Sequence, residues 1–169
     1  GVLVELLDGD IVLASATLPA PTGEWAEYPF TLTPSAETGN GSLRISLRGA
    51  GTVTFDQISM MGQDAIDAGG FRPDLLEAVR ALRPPIIRWP GGCFASLYFW
   101  KDAIGPQHMR KIYSAYMWDD QDINSYGTDE FLRMCEEIGA EPLLVVNTGV
   151  LDSACGAPAQ WKLTDEEYL

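Results

Sequence analysis

Apolar and polar positions alternate at period two through residues 1–61. In "YPFTL", Tyr28, Phe30 and Leu32 share one face. "SLRISLR" sets Leu43, Ile45 and Leu47 inward against Arg44, Ser46 and Arg48 outward. "GTVTFDQISMM" alternates through Val53 and Phe55 and then slips phase, so that Ile58 and Met60 regain the apolar face. One extra residue at Asp56–Gln57, a β-bulge, accounts for the slip. The chain opens on strand-like "VLVELL", and "ETGNG" at 37–41 is a turn cluster. Short alternating strands separated by turns predict an antiparallel sandwich over 1–61.

The period changes after residue 61. "GQDAIDAGG" is rich in small residues and predicts a linker over 62–72. "RPDLLEAVRALRPP" predicts a helix, with Pro73 in its first turn and an apolar stripe of Leu75, Leu76, Val79 and Leu82. Pro84 and Pro85 end it, and "IIRW" follows as a short buried strand. Thr128 can cap a second helix, with Asp129 and Glu130 in its first turn. That helix carries Phe131, Leu132, Cys135 and Ile138, and Gly139 offers its C′ position. "LLVVN" at 143–147 is a further apolar strand. Helix, strand, loop, helix, strand is the rhythm of a parallel α/β domain, here 73–169. The connection from Trp89 to Thr128 is much longer than the usual βα loop. Long loops at the C-terminal ends of parallel strands are where such folds hold their sites. Gly91 and Gly92 then serve a tight turn that lets another group come close.

Composition narrows the partners. The chain has 169 residues, 46 % of them apolar, and 11 basic against 24 acidic side chains give a net charge of −13. Such a surface repels phosphate backbones, which argues against nucleic acid and against an anionic membrane. No apolar run approaches the ~20 residues of a membrane span. Cys93, Cys135 and Cys155 are too few and too scattered for a disulfide scaffold or a zinc site, and Cys135 reads as core. His108, the one histidine, reads as a solvated loop residue. The start without Met, and an end in which Thr164 could cap a new helix, read as an excerpt of a longer chain, so the compartment stays open. Phosphate-loop, dinucleotide, serine-hydrolase and zinc-protease motifs are lacking, and no cofactor is expected.

Arg88 ends an otherwise apolar strand, so a carboxylate partner is expected close by. Two readings stand: a structural ion pair across the sheet, or an arginine that keeps a catalytic carboxylate ionised. Phe94, Tyr98, Phe99, Trp100, Tyr113, Tyr116 and Trp118 make the long loop aromatic, which suits sugar rings and loop packing equally. Asp102, Asp119, Asp120 and Asp122 could supply acid, base or nucleophile, although acidic loop residues are mostly solvated.

Three segments in order, "FRPDLLEAVRALRPPIIRWPGGCFAS", "WKDAIGP" and "NSYGTDEFLRMCEEIGAEPLLVVNTG", resemble the α-L-arabinofuranosidases of glycoside hydrolase family fifty-one. The resemblance spans roughly residues 71–150. It implies part of a (β/α)₈ TIM barrel preceded by the end of an inserted jelly-roll, carbohydrate-binding-like domain. It implies a retaining enzyme acting on arabinose-containing oligo- or polysaccharides, which as a complete enzyme can be a homo-oligomer. Arg88 matches the strand-end arginine near the nucleophile, and Trp118 an aromatic bordering the pocket. Cys93 stands where many members place an asparagine that touches the sugar and others a cysteine, whose thiol is a poor donor. Neither catalytic glutamate has a counterpart here, and both are expected beyond Leu169. A non-catalytic carbohydrate-binding module, or another retaining glycosidase on the same barrel type, are the competing readings.

Overall fold

The computed structural model describes residues 1–115 and 120–147. It divides into two compact units, Gly1–Ile58 and a second that starts at Ser59.

The first unit is one antiparallel sheet built from β1 (Val2–Asp8), β2 (Ile11–Leu18) and β3 (Gly41–Leu47), in the order β2-β1-β3. A tight hairpin joins β1 to β2 through Gly9, whose φ of +57° would strain a side-chain-bearing residue. Its core is carried by central strand β1, where Val2, Val4 and Leu7 are almost wholly buried, and Leu13 of β2 joins them. The β1–β2 ladder slips between Leu6 and Leu7, and there burial passes from the even positions to Leu7. On β3, Leu43 and Ile45 are half-buried as the alternation predicts, but Leu47 at the edge is exposed.

Two of the expected strands do not form. "YPFTL" and "GTVTFDQISMM" run without ladder partners, so the described residues of the first unit form a single sheet. Alternation defines a face, but a strand also needs a neighbour for its backbone groups and a layer for its side chains. Trp25, Phe30, Phe55 and Ile58 all stay exposed. At the predicted bulge the chain turns instead: Gln57 has φ +50° and its N–H is held by Asp56 Oδ1 at 2.9 Å.

The second unit opens with a short helix inside the stretch expected as linker, α1 (Gln63–Asp67), braced by a 2.8 Å bond from Gln63 Nε2 to Asp67 Oδ1 one turn on. There follow α2 (Pro73–Leu82), β4 (Ile86–Trp89), the hairpin β5 (Tyr113–Ala115) and β6 (Asp120–Asp122), α3 (Thr128–Ile138) and β7 (Glu141–Leu144). Strands β4 and β7 are adjacent and parallel, with Ile86 opposite Glu141 and Trp89 opposite Leu144. Pairing therefore starts two residues before the predicted 143, and a bond from Val145 N to Trp89 O extends it. Helix α3 packs on β7 and on α2.

The helices depart from expectation in two places. Of the predicted stripe on α2, Leu76 is buried and Val79 half-buried, but Leu75 and Leu82 are 55 % and 79 % exposed, because α2 meets α3 along a narrower strip than its sequence provides. At α3 the cap is Gly127, whose N–H bonds Glu130 Oε2 at 2.8 Å. Thr128 is instead the first helical residue, turned inward to a 2.7 Å hydrogen bond with the Tyr98 hydroxyl. A glycine is required at 127 by close approach, since a Cβ there would collide with Ala103 O. Gly139 closes the helix in the left-handed conformation (φ +73°), as predicted. Phe131 and Cys135 face the core, where Trp89 stacks on Phe131 (5.5 Å between centroids) and meets Tyr98 edge-on at 4.4 Å.

Candidate functional site

Strands β4 and β7 end on the same side, and Arg88 and Cys93 lie at or just beyond that end of β4. The peptide Trp89–Pro90 is cis, and Pro90 is buried. Gly92, at φ +57°, then turns the chain into a single 3₁₀ turn, Gly92–Ser96, that carries Cys93. Arg88 points toward this turn: its Nη2 would stand 3.4 Å from a Cβ at Gly91. The expected carboxylate partner is absent among the described residues, where Arg88 makes no ion pair or hydrogen bond. Its position is exposed, so water meets the charge and no partner is needed to avoid a desolvation cost. Cys93 is half-buried and disulfide-bonded, so the free thiol considered from the sequence is not present. Cys135 is buried and free. Trp118, with Tyr116 and Asp119, lies outside the described residues.

The rim is tied to β7 by a residue that sequence reasoning passed over. Asn147 Nδ2 donates to Ser96 O, joining the end of β7 to the last residue of the 3₁₀ turn. The only signal was its place at the end of an apolar strand run, where a polar residue faces the functional edge.

A second missed residue organises the long connection between β4 and α3. The Arg110 side chain is 1 % exposed and uses its whole fork. Nε and Nη2 donate to Gly105 O (3.0 and 2.7 Å), and Nη1 donates to Asn124 O at 2.8 Å. Nη1 and Nη2 also donate to the two Glu130 oxygens at 2.7 and 3.1 Å. A bidentate, largely buried pair of this kind is rigid as well as strong. Burial alone would push the Glu130 carboxyl up, but hydrogen bonds from Arg110 and the Gly127 amide outweigh it and hold it below its ordinary value. Gln107 adds a 2.6 Å bond to Ser125 O, and Gly105 N donates to Asp129 Oδ2 at 2.7 Å. The loop is thus clamped onto the start of α3.

The acidic and aromatic loop residues now separate. Asp102 accepts from Lys111 Nζ and from the Tyr113 hydroxyl, and Asp122 accepts from Asn124 N, so both are engaged within the loop. Asp120 lies on β6. Tyr98 is core, Phe94 leans on it at 6.0 Å, and Phe99 packs on Tyr113 at 5.1 Å; these aromatics build the loop. His108 is exposed in a short 3₁₀ turn. Among the described residues no group of three or more His, Cys, Asp or Glu could hold a metal ion, and no helix is long and apolar enough to cross a membrane. An open cleft of about 690 Å³ lies at the opposite end of the strands, between Arg80, Arg83, Pro84, Pro85 and Gly139. Arg80 is engaged there by Glu77 and by the Glu137 carbonyl, so the cleft reads as the seam between α2 and α3 and carries no chemistry.

Residues 78–165 match the family model of the α-L-arabinofuranosidase 1 domain, slightly more than half of the chain. The chain belongs to the α-L-arabinofuranosidase family. That match begins within α2 and takes in Arg88, Cys93, Arg110, Trp118, Glu130 and Asn147. α-L-Arabinofuranosidase C of Emericella nidulans is 45 % identical over 95 residues, which are 55 % of this chain and 19 % of that protein. The intracellular exo-α-(1→5)-L-arabinofuranosidase of Acetivibrio thermocellus is 37 % identical over 107 residues, 62 % of this chain and 21 % of that protein. A solved α-L-arabinofuranosidase from Thermotoga maritima, in complex with arabinose, is 45 % identical over 52 % of this chain and 18 % of its own, with a TM-score of 0.46. The chain therefore spans about a fifth of the length of the curated arabinofuranosidases it matches.

Proposed function

We propose that this chain is part of a retaining α-L-arabinofuranosidase that removes terminal α-L-arabinofuranosyl residues from hemicellulose or arabinan. The observation that carries the reading is the family match over residues 78–165, which crosses the whole rim from Arg88 to Asn147. The names of the relatives support the substrate class, arabinose-containing oligo- or polysaccharides. In this reading β4 and β7 are two neighbouring strands of a (β/α)₈ barrel, and residues 73–169 are part of it. Residues 1–61 belong to a jelly-roll domain, and 62–72 connect the two.

The chemistry needs two carboxyl groups ~5 Å apart, one to protonate the leaving oxygen and one to attack the anomeric carbon. Both glutamates are expected beyond Leu169. This chain supplies surroundings for them: Arg88 as the cation beside the nucleophile, and Cys93 and Trp118 as contacts to the sugar. The exposed guanidinium, without a partner among the described residues, supports that role for Arg88, because a carboxylate brought to the rim would find it available. The test is release of nitrophenol from a nitrophenyl α-L-arabinofuranoside. The complete protein should turn over with retention of configuration, and the 169-residue chain alone should not. Turnover by the isolated chain, or none by the complete protein, would refute the reading.

A further inference from the structure

We infer that Asn147 is a positioning residue of the rim, which together with the disulfide at Cys93 sets where Cys93 stands relative to Arg88. The inference rests on the arabinofuranosidase reading of the rim and adds a residue to it. Three observations carry it. First, the chain leaving β7 is tied twice to the chain around the end of β4: by the backbone bond from Val145 N to Trp89 O at 2.9 Å, and two residues later by the Asn147 side chain reaching Ser96 O in the 3₁₀ turn. Second, Ser96 ends the 3₁₀ turn that carries Cys93, and its own chain continues into buried Leu97 and Tyr98. The far side of the turn is thus fixed to the core, and Asn147 fixes it laterally to the neighbouring strand. Third, the near side is Gly91–Gly92, which brings no side chain to hold it, and a Cβ at Gly91 would already touch the Arg88 guanidinium. The two glycines bring no side chain to the turn, and the Asn147 amide ties it across the sheet in addition to the disulfide at Cys93.

The amide must donate for this to work. A carbonyl acceptor such as Ser96 O needs an N–H or O–H opposite it, which asparagine provides and an ionised carboxylate does not. Asn147→Asp keeps the shape and removes the donor; when its carboxyl is protonated, one O–H can replace it.

The experiment uses the complete protein with a nitrophenyl α-L-arabinofuranoside and compares wild type, Asn147→Ala and Asn147→Asp at several pH values. Misplacing a sugar-contacting group should raise KM roughly three- to tenfold, the effect of one neutral hydrogen bond, with kcat changed less. The Asp variant should approach wild-type KM as pH falls through the titration of its carboxyl, and the Ala variant should keep a constant ratio to wild type. A wild-type enzyme without arabinofuranosidase activity would overturn the underlying reading and this inference with it. An active wild type, with both variants folded and KM unchanged, would overturn this inference alone. Loss of the folded state in both variants would make the amide a structural strut only, and would overturn it as well.

Discussion

Replacing Arg110 by methionine removes the hub of the long β4–α3 connection while keeping most of its apolar bulk. The variant leaves the Glu130 carboxylate, 13 % exposed, without its bidentate partner, and takes donors from Gly105 O and Asn124 O. Breaking a buried pair from one side costs about 3–5 kcal/mol, since the remaining charge stays desolvated. Removing the charge as well, in Arg110→Met with Glu130→Gln, should return part of the loss, while the two carbonyls stay unsatisfied. Urea unfolding of the complete protein should show both as lower midpoints at unchanged slope, the double variant lying between Arg110→Met and wild type. Acid gives an independent reading. The folded-state pKa of Glu130 is depressed, so its contribution is present above the unfolded value of about 4.3 and is lost as pH falls through the folded one. Acid destabilisation in that window should be weaker in Glu130→Gln. A loss under about 1 kcal/mol in Arg110→Met would refute the clamp, and so would a double variant less stable than the single.

Two further substitutions test the geometry elsewhere. Gly127→Ala drives a methyl into Ala103 O, and should destabilise by about 1–3 kcal/mol or shift the start of α3, readable by thermal melting and by hydrogen exchange at residues 127–131. Arg88→Ala in the complete protein should lower kcat/KM at least a hundredfold, about 2.7 kcal/mol of transition-state stabilisation, because the carboxylate beside it loses its cation. Near-normal turnover would remove Arg88 from the chemistry.

What could be read along the chain depended on whether its cause was local. Pro73, Pro84, Pro85 and Gly139 act through backbone geometry, and the helix limits they imply agree with the structure to within a residue or two. The parallel neighbours β4 and β7 were legible because short apolar runs flanking a helical pattern leave few alternatives. "YPFTL" and "GTVTFDQISMM" show the limit: their alternation is as clear as that of β3, but strand formation depends on a partner, which no window of sequence contains. Leu75 and Leu82 fail in the same way, since a stripe records which side could be buried and not how much cover is present. At the site, Arg88 and Cys93 stood out because charge, glycines and cysteine interrupt an apolar run. Arg110 sits in an unpatterned loop, and only three-dimensional proximity joins it to Glu130, Gly105 and Asn124. Thr128 was read as a cap from its residue type, but the tight fit of Gly127 against Ala103 placed the cap one residue earlier.

The clamp at Arg110 also changes the polymer problem posed by residues 90–127. Left free, a loop of that length would let any insertion shift everything between its ends. Pinned at Gly105 and at Asn124 through one guanidinium, it becomes two shorter closed loops, one leading from the rim and one enclosing the β5–β6 hairpin. Loop-closure entropy grows slowly, by about 0.6 kcal/mol for each doubling of length. Residues added between Arg110 and Asn124 are therefore cheap, and the strain they cause ends at the clamp. A change of length in the hairpin should leave the turn beside Arg88 in place, so that the two parts of this connection can be altered independently.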